Sequence, residues 1–215
     1  YSLDEYDGYL RVATTINAIV SYSAVYVMDA NLELTDKIEN IAPGEIIYAV
    51  RFNGETGSLV TFDRVDPYYR LDLSDPYDIG ISEGLKKPGV SFYIHYIEGT
   101  DYTIGIGRTA EEQGSWVTWT GLEIILYYND PADPLADPRI ITELFIPGNC
   151  YAEILYNPKA LLYDKELGLL AFAYEKWNYS SYYYYKSMQQ GLAVFSFDTE
   201  AEDDADKLVF RGTLS

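Results

Sequence analysis

Apolar and polar side chains alternate with period two along nearly the whole chain, and a helical period is almost absent. Alternation of this kind marks strands that bury one face. It predicts strands at 8–16, 23–30 and 34–41, and again at 46–53, 58–63, 68–74 and 81–85. It continues at 91–98, 102–108, 122–128 and 139–146, then at 152–163 (interrupted at Pro158), 168–174, 191–197 and 207–214. Tyr, Val, Ile, Phe and Thr fill these runs, while Gly, Asn, Asp and Pro separate them, as residues suited to pleated surfaces and to turns respectively. One phrase returns four times, an alternating apolar run that ends in an acidic turn. Its clearest copy is Tyr69-Arg-Leu-Asp-Leu-Ser-Asp-Pro76. The others are Ala24-Val-Tyr-Val-Met-Asp29, Leu122-Glu-Ile-Ile-Leu-Tyr-Tyr-Asn-Asp-Pro131 and Leu192-Ala-Val-Phe-Ser-Phe-Asp198.

A recurring phrase indicates stacked supersecondary units. The second strands of the units centre near Val12, Val60, Gly105 and Ala171, and the first two steps are close to the roughly 45 residues of a propeller blade. The last step is lengthened by a Tyr-rich insertion at 175–190, and a second insertion, 109–120, lies between the corresponding strands of the third unit. Four meandering strands make one blade of a β-propeller. The expected fold is all-β, a β-propeller-type repeat of four-stranded antiparallel blades at 1–43, 44–88, 89–148 and 149–215. The first unit shows no opening strand. Just under four blades fall short of a usual closed ring, and an open end exposes strand edges. The chain is therefore expected to be part of a longer propeller, with open blade edges that favour self-association.

An apolar content of 48% excludes a disordered chain and supports a core. Lys and Arg number 15 against 34 Asp and Glu, for a net charge of −19. That field repels phosphate backbones, so a nucleic-acid partner is not expected, and it equally disfavours an anionic membrane surface. Cys150 is the only cysteine, so no intrachain disulfide forms. The chain starts at Tyr1 and shows neither a basic, apolar signal segment nor an apolar run of membrane-spanning length. No membrane insertion by this segment is expected, and the start reads as a processed or truncated end.

Four groups of residues carry a family resemblance. They are Ser2-Leu-Asp-Glu-Tyr-Asp-Gly-Tyr-Leu-Arg-Val-Ala-Thr-Thr15, Ile41-Ala-Pro-Gly-Glu45 with Tyr48-Ala-Val-Arg-Phe52, Leu59-Val-Thr-Phe62 through Val65-Asp-Pro67 to Asp72-Leu-Ser-Asp-Pro76, and Lys159-Ala-Leu-Leu-Tyr-Asp164 with Leu169-Leu-Ala-Phe172. In this order they resemble the family of secreted bacterial and archaeal proteins with a C-terminal β-propeller distantly related to WD40 repeats. The resemblance covers the later part of that family's domain. It implies a propeller and export from the cell, hence a secreted or cell-surface location, and it carries over no catalytic residues. Pro158 and the stretch 80–88 depart from the family pattern, and Trp116, Trp119 and Trp177 are not followed by Asp, so the structural network of true WD40 repeats is not assumed.

The candidate chemistry is sparse. Asp72, Asp75 and Asp78 cluster at one turn, and Asp130, Asp133 and Asp137 at its counterpart in the third unit. Clustered carboxylates can cage Ca²⁺, while Asp before Pro is also an ordinary turn starter. No cofactor other than Ca²⁺ is expected. The acidic run from Glu200 to Asp206 reads as a solvated loop. Gly105-Ile-Gly107-Arg108 lacks the third glycine and the following helix of a nucleotide fingerprint. His95 is the only histidine and reads as a packed, hydrogen-bonded side chain, and Cys150 as an inert thiol.

Aromatic residues give the strongest hint of binding. Trp177, Tyr182, Tyr183, Tyr184 and Tyr185 crowd one insertion, and Trp116 and Trp119 occupy the other. Exposed Tyr and Trp on a rigid scaffold favour ligand or partner contact. The alternative is an extended hairpin whose rings pair across strands. The reading that results is a non-enzymatic binding or scaffold domain, acting outside the cell or at its surface on a glycan or protein. A glycoside hydrolase using paired carboxylates is the enzyme alternative.

Overall fold

The computed structural model describes residues 2–62, 66–87, 89–113, 116–179 and 185–214. Apart from three short 3₁₀ turns, the regular structure among them is entirely strand. Strands β1 (Leu3–Tyr6), β2 (Tyr9–Ile16), β3 (Tyr22–Met28) and β4 (Leu34–Ile41) form the first sheet in that order. In the second, β5 (Ile46–Asn53), β6 (Thr56–Phe62) and β7 (Asp66–Asp72) are followed by β8 (Gly80–Ile81) and β9 (Leu85–Lys87), which both pair with β7. The third runs β10 (Val90–Tyr96), β11 (Tyr102–Gln113), β12 (Trp116–Tyr128) and β13 (Arg139–Pro147). The fourth comprises β14 (Asn149–Ala152), β15 (Leu161–Asp164), β16 (Leu169–Tyr179), β17 (Tyr185–Phe197) and β18 (Leu208–Leu214), with β14 and β15 both paired to β16. The first and third sheets are meanders of consecutive strands, the second and fourth are meanders whose outer strand is split into two segments, and every described register is antiparallel. This is the pattern of propeller blades.

One sequence expectation changes. The first sheet does have an opening strand, β1, which escapes the periodicity argument because three of its four residues are exposed. The two insertions take the extended-hairpin form that the sequence offered as an alternative. They lengthen β11 and β12 to 12 and 13 residues, and β16 and β17 to 11 and 13, so two hairpins project beyond the ordinary strand length.

The recurring acidic phrase has one local role. In each copy the aspartate closes a turn by accepting from a backbone N–H two residues on: Asp29 from Asn31 at 2.8 Å, Asp72 from Ser74 at 3.1 Å, Asp130 from Ala132 at 2.9 Å and Asp198 from Glu200 at 3.0 Å. These are Asx-turns, in which a short carboxylate imitates the backbone.

The chain clusters into two compact units, one of residues 1–90 with 129–138 and one of 91–128 with 139–215. In the first, Val25, Val27, Val50, Phe52, Leu59, Leu71 and Leu73 are among the side chains that join its two sheets in one apolar core. Two buried arginines lie within it. Arg11 bonds Asp4 and the Gly54 carbonyl and packs over the rings of Tyr6 and Phe52. Arg70 donates from Nη1 to the carbonyls of Asp130, Asp133 and Ala136 at 3.1, 2.9 and 3.2 Å. In the second unit, Ile104, Ile106, Leu122, Ile124, Leu170, Phe172 and Phe195 belong to a single larger core.

The acidic run near the C-terminus is more ordered than an open loop. Asp203 caps a 3₁₀ turn, Asp204–Asp206, and Lys207 Nζ ties it to Ala201 O at 2.7 Å and Asp204 Oδ1 at 3.0 Å.

Candidate binding site

The site begins in the β11–β12 hairpin. Ile104 and Ile106 point into the core of the second unit, and the same face of β11 continues to Arg108. Arg108 lies opposite Leu122, and Thr109 opposite Gly121, but Ala110 then lies opposite Trp119. Thr120 is therefore an extra residue, and the bulge it creates reverses the alternation of β12. In a regular ladder Thr120 would pair with Ala110, and Trp119 would face away from Leu122. With the bulge, Trp119 stands on the face of Arg108, whose guanidinium carbon sits 4.9 Å from the indole centroid.

The bulge is fastened from both sides. Thr120 Oγ1 donates to Thr109 Oγ1 at 2.9 Å, and the Gly148 N–H donates to the Thr120 carbonyl at 2.8 Å. Gly121 lets β13 approach closely, for a Cβ there would stand 2.6 Å from the Ile146 carbonyl oxygen.

Trp119 starts a row of rings. Phe92 of β10 lies edge-on to it with centroids 6.1 Å apart. Tyr156 lies 5.6 Å from Phe92, and Tyr151 of β14 stacks on Tyr156 at 6.1 Å with an 18° interplanar angle. Tyr156 is positioned by the 3₁₀ turn Glu153–Leu155, which buried Ile154 and Leu155 anchor and whose Glu153 carbonyl accepts from the N–H of Tyr156 and of Asn157. Tyr156 remains 63% exposed and Tyr151 38% exposed, so this end of the row is open to solvent.

At Tyr151 the row meets a cleft of about 530 Å³ in the fourth sheet. Tyr151, Glu175 and Gln190 lie opposite one another across β14, β16 and β17, and Ala173, Leu192 and Leu214 form the next rank across β16, β17 and β18. These residues line the cleft together with Glu153, Tyr174 and Gly191. Gln190 Nε2 donates to Glu175 Oε1 at 2.9 Å, and the Tyr151 hydroxyl donates to Glu153 Oε2 at 3.2 Å. The Tyr151 phenol has its pKa raised, first by desolvation and then by that bond. An apolar floor with a few convergent polar groups is the usual make-up of a small-ligand site.

The residues expected from sequence fare differently. Trp119 joins the row, while Trp177 lies half-buried on β16 opposite Met188. Trp116 opens β12 and Tyr185 opens β17, but their side chains, like all of Tyr182, Tyr183 and Tyr184, lie outside the described residues. Phe92, Tyr151 and Tyr156 were not singled out by sequence, because three separate segments bring them together.

Most of the clustered aspartates serve their own turns, and Asp137 reaches across to Gly84. Asp72 Oδ1 accepts from the N–H and hydroxyl of Ser74, Asp75 from the Tyr77 N–H, Asp133 from the N–H groups of Leu135 and Ala136, and Asp137 from the Gly84 N–H. The N–H of Asp78 donates to the Asp75 carbonyl. Among the described residues, no three His, Cys, Asp or Glu side chains converge where they could hold a metal ion.

His95 lies on β10 with Nδ1 3.0 Å from the Tyr93 hydroxyl and its ring 4.2 Å from that of Tyr163. Cys150 is buried on β14, and burial raises its thiol pKa against the opposing pull of Lys176 and Arg108.

Comparison with known proteins accords with the four-sheet pattern. The family model of the beta propeller domain matches residues 1–212. An uncharacterized protein of Archaeoglobus fulgidus is 38% identical over 170 residues, covering 79% of this chain and 25% of that protein. An uncharacterized protein of Methanocaldococcus jannaschii is 40% identical over 112 residues, covering 50% of this chain and 18% of its own length. The chain thus spans a quarter or less of the curated relatives it matches. Its meandering antiparallel sheets and this match over nearly its full length agree, and the chain belongs to the beta propeller domain family.

Proposed function

We propose that this domain is a non-enzymatic binding module, acting outside the cell or at its surface, whose ligand is a glycan. The observation that carries this reading is the row Trp119–Phe92–Tyr156–Tyr151 running into the cleft of the fourth sheet. Aromatic faces accept the apolar C–H faces of sugar rings, and the Tyr151 hydroxyl with Glu153, Glu175 and Gln190 supplies the donors and acceptors that hydroxyl groups need. A row several rings long suits an oligosaccharide better than a single sugar. The extracellular placement is supported by the acidic composition, which keeps an exported domain soluble, and by the resemblance of the sequence to secreted propellers.

The test is isothermal titration of the domain with neutral oligosaccharides of three to six units, in parallel with Tyr151→Ala and Tyr156→Ala. Binding by the wild type that falls about tenfold or more in each folded variant supports the reading, by the usual cost of truncating an aromatic anchor. A wild type that binds none of a broad glycan panel sinks it.

A second reading has its own observation. Glu153 and Glu175 line the same cleft, as paired carboxylates do in glycoside hydrolases. Release of reducing ends by the wild type, abolished in Glu153→Gln or Glu175→Gln, would replace the binding module with an enzyme.

A further inference from the structure

Arg108 is unusual in this chain. Acidic residues outnumber basic ones by more than two to one, yet among the described ion pairs none involves Arg108. It is half-buried at the end of an apolar row, its Nε is shielded from solvent without a hydrogen-bond partner, and the Thr120 bulge places Trp119 against its guanidinium. Desolvation lowers its pKa, opposed by the nearby Tyr156 phenol and Cys150 thiol, but a guanidinium remains charged throughout the neutral range. Lys176, in register with Cys150 on the neighbouring strand, adds a second positive charge around the same thiol. The far end of the row is of opposite character, with Glu153 and Glu175 in the cleft.

The row therefore has an electrical direction, cationic at Trp119 and anionic at Tyr151. We infer that it selects an oligosaccharide carrying a carboxylate on one terminal sugar, with that sugar on Trp119 and its carboxylate on the Arg108 fork. The neutral remainder of the ligand extends along Phe92, Tyr156 and Tyr151 into the cleft. A guanidinium already stacked on an indole is pre-oriented and gives a carboxylate two parallel N–H bonds. A uniformly acidic polymer is disfavoured, since its other carboxylates would meet Glu153 and Glu175 and the overall negative field. The inference rests on the glycan-binding reading and specifies the ligand class for that site.

The experiment uses three probes by calorimetry: cellotriose, the same trisaccharide with a terminal glucuronate, and the methyl ester of that acid. The ester keeps the ring and removes the charge. The wild type is expected to bind the acid about tenfold or more tightly than the ester, the range set by a charge-assisted hydrogen bond. Arg108→Gln should abolish that preference, so that acid and ester bind equally whatever the loss common to both. Arg108→Lys should retain part of it, which separates lost charge from lost fold. Tri-galacturonate should bind more weakly than the singly charged acid. Equal binding of acid and ester overturns the charge assignment and leaves the glycan reading intact. Binding of none of the probes, by a protein that melts cooperatively, overturns both.

Discussion

The Arg70 guanidinium donates to the carbonyl oxygen of Asp133 at 2.9 Å, and the same Nη1 reaches the carbonyls of Asp130 and Ala136. A turn rich in aspartate, which sequence marks as a candidate Ca²⁺ cage, thus points three of its main-chain oxygens at a cation supplied by β7. Arg70→Met removes that cation and leaves three partly exposed carbonyls without that donor. The expected cost is about 2–4 kcal/mol, and Arg70→Lys should restore part of it. Urea unfolding of the three proteins measures this, and wild-type stability in Arg70→Met would contradict the role assigned to the clamp.

The neighbouring carboxylates are engaged with turn amides, so a divalent cation would compete with those bonds. The melting temperature is expected to stay within about 1 °C between excess chelator and millimolar Ca²⁺, because the ion would have to displace those amides to stabilise the native state. A rise with Ca²⁺ that disappears in Asp133→Asn would establish the cation site.

Gly121→Ala tests the close approach behind the bulge. The added Cβ would stand 2.6 Å from the Ile146 carbonyl oxygen and 3.2 Å from the Pro147 Cα, neither of which is the end of a flexible side chain. A loss of about 1–3 kcal/mol is expected from such overpacking. A variant with unchanged melting and unchanged indole fluorescence would show that β12 and β13 yield there easily.

The Cys150 thiol should be silent in the folded protein. Burial raises its pKa, so the native state holds the proton at a pH where the unfolded chain, near 8.5, begins to lose it. Its contribution to stability is constant below that pH and falls as pH rises toward the native value. Ellman's reagent at pH 8 should react slowly with native protein and at once in denaturant. Equal rates in both states would show that the thiol is accessible.

Asp29 gives the opposite sign. The backbone N–H of Glu33, followed by that of Asn31, holds its carboxyl below the usual range. The stabilisation it provides is present above about pH 3.9 and is lost as pH falls through the depressed native value. A carbon-13 titration of this carboxyl should therefore give a pKa below that of an unfolded aspartate, and a value at or above it would contradict the turn geometry.

The fold is legible in the sequence because strand alternation and Asx-turns are both local. Asp29, Asp72, Asp130 and Asp198 mark turns whose donors lie two residues away, and β2 shows its buried positions by alternation, whereas β6 is apolar on both faces. Strand β1 is hidden because its side chains are mostly exposed, leaving no apolar rhythm to detect. The site is less legible. Tyr68 and Tyr127 are 2% exposed whereas Tyr151 is 38% exposed, yet each is simply a tyrosine in a strand until cross-strand packing is known. Trp119 is visible as an aromatic in a long segment, but the face it takes depends on an irregularity that composition does not announce. Phe92 and Tyr156 come from other parts of the chain, and only the third and fourth sheets together make them neighbours of Trp119 and Tyr151.

The extra residue at Thr120 makes the surface presented by this hairpin a matter of parity. Adding one residue to β11 between Thr109 and Ala110, opposite Thr120, would leave the paired strands below it, and the core they cover, with the same partners. It would nevertheless turn the indole to the opposite side and uncover the guanidinium. In a protein built from repeated meanders, gain or loss of a ligand can then follow from a one-codon change in length with no change in side-chain chemistry. The variable to compare between such hairpins is whether the count of residues between ladder positions is odd or even.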